Sequence, residues 1–137
     1  MTPYTAKTQT EIVTYIKGSP TNNTYGSVWE TANAVDYVTG GQYNAITSYP
    51  FPFTFDKLKT SLGRTRPVIS LVNENGSGHY YVVSGYNNAT ESLFVINPGD
   101  AVRYTVNYYD FHYGDTTDGW RDSRPRVGDV VFRDWEA

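Results

Sequence analysis

Apolar residues recur at helical spacing in three short segments of the first half of the chain. Residues 8–11 (Thr-Gln-Thr-Glu) form a capping box, in which the Thr and Glu side chains satisfy free backbone amides, and this predicts a helix over Gln9–Lys17. A second capping box at residues 27–30 (Ser-Val-Trp-Glu) opens a helix that ends before a Gly-Gly pair. Thr54 predicts the start of a third helix, which Gly63 ends.

The second half of the chain has the alternating pattern of β-strands. Strands are predicted at residues 68–72, 80–86, 93–97, 102–106 and 127–132, with a further short strand at 43–46 and a turn or short helix at 108–111. The strands at 68–72 and 80–86 are largely apolar on both faces, so the sheet needs a covering layer on each side. We therefore expect one α+β domain over residues 1–137, with three short helices followed by an antiparallel sheet of about five strands.

A histidine and an asparagine lie at the same end of the predicted hairpin formed by residues 78–86 and 93–99. If Tyr86 pairs with Ser92, paired residue numbers sum to 178, and His79 then faces Gly99 with Asn97 as its diagonal neighbour. Diagonal neighbours on one face of a sheet lie roughly 7–8 Å apart at Cα. A slip of one residue would move the two side chains to opposite faces.

The segments around these two residues resemble the second half of papain-like cysteine peptidases, and most closely the bacteriocin-processing branch. The resemblance rests on residues 67–72 (PVISLV), on 78–86 (GHYYVVSGY) and on 95–98 (VINP), and the order of elements fits from residue 8 to 98, roughly two-thirds of the chain. It implies a papain-like fold that acts on a peptide or protein substrate. It also implies that His79 is the general base and that Asn97 orients it.

The chain departs from that family because it contains no cysteine, whereas the family attacks the peptide bond with a cysteine on an N-terminal helix. That helix has no place between Met1 and Lys7, so the domain is expected to lack it. The hypothesis is a domain that is inactive alone, or that another chain or a domain-swapped dimer completes. The alternative is a non-catalytic module that binds peptide or cell-wall material. Residues 26–29 (GSVW) also resemble the Gly-Ser-Cys-Trp run of papain itself, but Val28 stands where that run has its cysteine. Ser27 is a poor substitute nucleophile, because it is already explained as a helix cap.

Charge and composition exclude several classes of partner. The net charge is -3, and the 11 Lys and Arg residues are not clustered, which argues against nucleic-acid binding. No apolar run approaches the roughly 18 residues of a membrane span, and residues 1–4 do not resemble a signal peptide. The lack of cysteine with many Tyr, Asn and Thr residues suits an extracellular bacterial protein. No cofactor is predicted.

Two further groups of residues are candidate sites. A calcium site is one interpretation of four aspartates, but their spacing does not fit, and solvated loop carboxylates are the preferred interpretation. These aspartates are Asp115, Asp118, Asp122 and Asp129. Aromatic residues late in the chain form either a sugar- or peptide-stacking surface or part of the sheet packing. They are Tyr104, Tyr108, Tyr109, Tyr113 and Trp120, and His112 among them is predicted to be a surface residue.

Overall fold

A computed structural model describes residues 8–19, 27–40, 45–64 and 66–132. These ranges contain four helices, α1 (Gln9–Lys17), α2 (Val28–Val38), α3 (Phe55–Gly63) and α4 (Tyr108–Tyr113). They contain six strands, β1 (Ile46–Ser48), β2 (Val68–Glu74), β3 (Ser77–Asn87), β4 (Ser92–Asn97), β5 (Val102–Asn107) and β6 (Arg126–Val131). None of the four helices is long and apolar enough to cross a membrane. The predicted α+β class is confirmed.

The first three helices begin where their capping residues predict. The backbone amides of Glu11 and Glu30 donate to the hydroxyls of Thr8 and Ser27, each at 3.1 Å, and each Glu side chain accepts from the amide of its capping residue. Thr54 caps α3. Local hydrogen bonds between residues three apart decide these starts, so the sequence alone was sufficient. The segment at 108–111 forms the fourth helix.

All neighbouring strands of the single sheet are antiparallel, in the order β1-β6-β2-β3-β4-β5. The sheet has six strands rather than about five. The short strand expected at 43–46 is paired instead from Ile46 to Ser48, against residues 129–131 of β6. Residues 43 and 44 lie outside the described ranges. The position of β1 is fixed by its pairing with β6, which is more than 80 residues further along the chain. Local strand propensity therefore does not predict where β1 begins and ends.

Each face of the sheet is covered, as its apolar strands require. On one face, α3 and α4 pack over the larger core, which includes Leu58, Phe111, Tyr81, Val83 and Val95. On the other face, α2 places Val28 and Ala32 against Leu71 and Val130. Side chains on one strand alternate between these two faces, so Leu93 and Val95 of β4 and Tyr81 and Val83 of β3 point into the larger core.

Two of the four aspartates are not solvated, and the prediction was wrong for them. Asp129 is fully buried, accepts hydrogen bonds from the Ser70 hydroxyl at 2.6 Å and the Phe53 amide at 2.8 Å, and faces the Arg126 guanidinium at 3.5 Å. Burial raises the pKa of Asp129, although Arg126 opposes the shift. Asp122 is also buried. Buried carboxylates need such partners, and those from distant parts of the chain, Phe53 and Ser70 for Asp129 and Tyr81 for Asp122, were not visible in the sequence pattern.

The late aromatic residues divide between core and surface. Tyr108 and Trp120 are buried in the larger core, whereas Tyr109 and Tyr113 are exposed. His112 is half-buried and stacks on Tyr108 at 5.4 Å between ring centroids, so it is not the surface residue that was predicted. Burial chiefly, and then the Arg126 charge, lower its pKa. Helix α4 has one face on the sheet and one in solvent, which explains why its aromatic residues differ.

Candidate functional site

The imidazole of His79 and the carboxamide of Asn97 are in direct contact. His79 is the third residue of β3, Asn97 is the last residue of β4, and Nε2 of His79 lies 2.7 Å from Oδ1 of Asn97. Asn97 is only 5% exposed and His79 is half-buried. The two side chains therefore meet at the end of β4, at the rim of the larger core.

A β-bulge puts the two side chains on the same face. At the β3–β4 turn, Tyr86 pairs with Leu93 rather than with Ser92 as predicted, because the turn is one residue shorter. If that pairing continued, Asn97 would face Val82 and lie on the sheet surface opposite to His79. Ser84 is the extra residue, and beyond it Val83 pairs with Val95. The predicted sum of 178 is thus restored before the site, although it is wrong at the turn.

The other end of β3 is set by a tight turn. Residues 75 and 76 have positive φ angles of 54° and 82°, which is the conformation that Asn-Gly favours in a two-residue hairpin loop. Val72 of β2 consequently pairs with His79 of β3. The Asn-Gly pair is itself a sequence signal for this hairpin.

Hydrogen bonds around Asn97 define the protonation of the neutral imidazole. Oδ1 of Asn97 also accepts the backbone N–H of Gly99 at 3.0 Å, which identifies it as the oxygen of the amide. An amide oxygen only accepts hydrogen bonds, so Nε2 of His79 must carry the proton and donate it. Nδ1 is then the basic nitrogen, and it forms no hydrogen bond with any residue of the described ranges. The amide of Asn97 also helps to lower the pKa of Asp100, after the larger effect of the Val102 amide.

Tyr81 supports the imidazole from within the core. Its ring lies perpendicular to that of His79, with 4.9 Å between centroids. Its hydroxyl donates to Oδ2 of the buried Asp122 at 2.8 Å. Burial first, and then this bond to a carboxylate, raise the pKa of Tyr81. Tyr81 shares the face of His79 because it lies two residues further along β3.

Arg124 holds the other side of Asp122. Its Nε and backbone N–H donate to Oδ1 at 2.9 and 3.0 Å, and its Nη2 donates to Oδ2 at 2.9 Å. Burial alone would raise the pKa of Asp122, but the hydrogen bonds from Arg124 and Tyr81 outweigh it, and the pKa is lowered. This support was not predictable from the sequence pattern, because Asp122 is 41 residues from Tyr81.

Other candidate sites are separate from this pair. Ser27 accepts the N-cap hydrogen bond of α2, and α2 covers the face of the sheet opposite to His79, so Ser27 lies away from the imidazole. Within the described ranges, no group of three or more His, Asp or Glu residues could hold a metal ion. Asp115 and Asp118 are exposed, as predicted.

Comparison with known proteins places the chain in a family. No curated protein matches it. The model of a family described as the Peptidase_C39 like family matches residues 3–123, which include His79, Asn97 and the supporting Tyr81 and Asp122. The match extends beyond the resemblance seen in the sequence, which ended at residue 98. It covers most of the 137 residues, and the chain therefore belongs to the Peptidase_C39 like family.

Proposed function

We propose that this domain provides the base and the orienting group for peptide-bond hydrolysis, and that another chain or segment supplies the cysteine. The observation that carries the proposal is the 2.7 Å hydrogen bond from His79 to Asn97, which leaves Nδ1 of the imidazole as the basic nitrogen. The family membership supports the same reaction class. The chain itself has no cysteine, so the domain alone is inactive.

His79 moves the protons of the reaction. Nδ1 accepts the thiol proton as the sulfur attacks the carbonyl carbon of the peptide bond. The resulting imidazolium gives this proton to the departing amine, and the carbon–nitrogen bond breaks to leave an acyl thioester. Nδ1 then takes a proton from a water molecule while the oxygen of that water attacks the carbonyl carbon of the thioester. The carbon–sulfur bond breaks, and the thiolate recovers the proton.

Asn97 and Tyr81 keep the imidazole in position for both half-reactions. Asn97 holds Nε2 protonated, so that the proton-accepting nitrogen is always Nδ1. Tyr81 restricts ring rotation through its perpendicular contact, and Asp122 fixes Tyr81 in turn. These groups act through His79, and they are positioning residues.

The test uses the affinity-tagged chain, isolated with its bound partners from the cells that produce it. We expect hydrolysis of fluorogenic peptides that iodoacetamide abolishes and that His79→Ala lowers by about 100-fold or more, as removal of a general base does. Tyr15→Ala, an exposed tyrosine on α1, is the matched control and should leave the rate unchanged. A complex without hydrolysis, or hydrolysis that is equal in His79→Ala, would refute the proposal.

The second candidate is a non-catalytic peptide-binding module, and the absence of cysteine from all 137 residues favours it. It predicts that peptides bind at the His79 end of β3 without being cleaved. In an NMR titration of the isolated chain with unlabelled peptides, the backbone amides of residues 79, 97 and 99 should then shift. Binding there, together with a tagged complex that cleaves nothing, would establish the module in place of the enzyme. If these amides do not shift in any titration, the module is excluded.

A further inference from the structure

A groove lies at the end of the sheet opposite to His79. It has a cavity volume of about 620 Å³ and runs between the start of α3, the turn from β3 to β4, and helix α4. Asn88, on its wall, is nine residues along the chain from His79, so the two are at most about 30 Å apart at the rise of an extended strand. The turn side of the groove therefore lies at the far end of β3 from the His79–Asn97 pair, and neither of these two residues lines the groove.

Two exposed tyrosines form one side of this groove. Tyr109 and Tyr113 are one helical turn apart on α4, and 51% and 66% of their surfaces are exposed. Each ring is held perpendicular to a neighbour, Tyr109 to Tyr108 at 5.4 Å and Tyr113 to His112 at 4.7 Å. Large aromatic surfaces that are already oriented lose little conformational entropy when a ligand stacks on them.

Polar groups from the turn and from α3 form the opposite side. Nζ of Lys59 binds Oδ1 of Asn88 at 2.9 Å and lies 3.3 Å from the carboxylate of Asp56, so its charge is compensated. The carboxylate of Glu91 has no hydrogen bond or ion pair with any residue in the ranges that the structure describes. Its backbone has a positive φ of 53°, and its carbonyl oxygen accepts the N–H of Tyr108 at 2.8 Å. The turn is thereby fixed against α4, with an acceptor left for a ligand.

The chemistry of the two sides selects a class of ligand. Tyrosine rings offer a flat apolar surface beside hydroxyl groups, and Asn88 and Glu91 offer hydrogen-bond partners at the rim. The uncompensated charge is the negative charge of Glu91, which disfavours an anion. A sugar ring has an apolar C–H face with hydroxyl donors around its edge, and it matches both sides. We propose that this groove binds a neutral oligosaccharide, independently of the proposed peptidase function.

The proposal is tested by titrating the isotope-labelled full chain with chitotetraose, cellotetraose and maltotetraose. We expect at least one of them to shift the amides of residues 54–59, 88–91 and 108–113 and to leave the amide of His79 unchanged. Tyr109→Ala and Tyr113→Ala, which alter exposed side chains, should each weaken that binding by about three- to tenfold. Tyr15→Ala should not weaken it.

Several outcomes would overturn the proposal. One is that none of the three sugars binds more tightly than about 10 mM. A second is that the acidic sugar tetragalacturonate binds as tightly as the neutral ones. A third is that shifts appear around His79 instead of the groove. Binding of tetraglycine at the groove in place of the sugars would assign it to peptides and would equally refute the inference.

Discussion

Removal of the Tyr81 hydroxyl isolates the contribution of the support behind His79. In Tyr81→Phe, the ring remains against the imidazole, and only the 2.8 Å hydrogen bond to Asp122 is lost. Hydrogen bonds to charged groups contribute about 1.5–3 kcal/mol. Asp122 keeps its three bonds from Arg124, so we expect the lower end, a loss of about 1.5 kcal/mol in the free energy of unfolding.

Urea denaturation at pH 7 measures this loss of stability. A double-mutant cycle with Asp122→Asn shows how much of the loss is due to the interaction between Tyr81 and Asp122. The coupling energy between Tyr81 and Asp122 should be about 1 kcal/mol or more, since the two groups are bonded and buried. Tyr109→Phe removes a hydroxyl from an exposed tyrosine and should change stability by less than about 0.5 kcal/mol. Additive single losses, or an equal loss in Tyr109→Phe, would show that the hydroxyl of Tyr81 does not act through Asp122.

Three further changes test the site and the fold. Asn97→Ala should abolish the slowly exchanging Nε2–H signal of His79 in proton NMR, because the acceptor is removed; a signal that persists would place the proton elsewhere. Burial lowers the pKa of His112, so stability falls as the pH drops below the ordinary histidine value of about 6.5, and His112→Asn should flatten that slope in urea midpoints. Gly114→Ala should lower the melting temperature much more than Gly40→Ala. Both glycines have positive φ, but only a Cβ at residue 114 would meet a backbone oxygen, at 2.5 Å. Equal losses in the two variants would contradict the packing argument.

The features that were predicted correctly depend on residues close together in the chain. The capping boxes at residues 8–11 and 27–30 bond donors and acceptors three positions apart, so the starts of α1 and α2 followed directly. The burial of Asp129 could not follow in this way, because its partners Phe53 and Ser70 are 76 and 59 residues distant. Single-sequence patterns report the period of an element, and they do not report which distant segment folds over it.

The pairing of His79 with Asn97 falls between these cases. The residue types and their positions near the ends of two neighbouring strands were visible in the sequence, but the face of each side chain depends on the register. The real turn is one residue shorter than predicted, and a regular ladder continued from it would have separated the pair. The extra residue at Ser84 compensates for it, because a bulge shifts one strand by a single position relative to its partner. The geometry of the site therefore depends on a local irregularity in β3 as much as on the two polar side chains, and a regular hairpin built on the observed turn would place imidazole and amide on opposite faces.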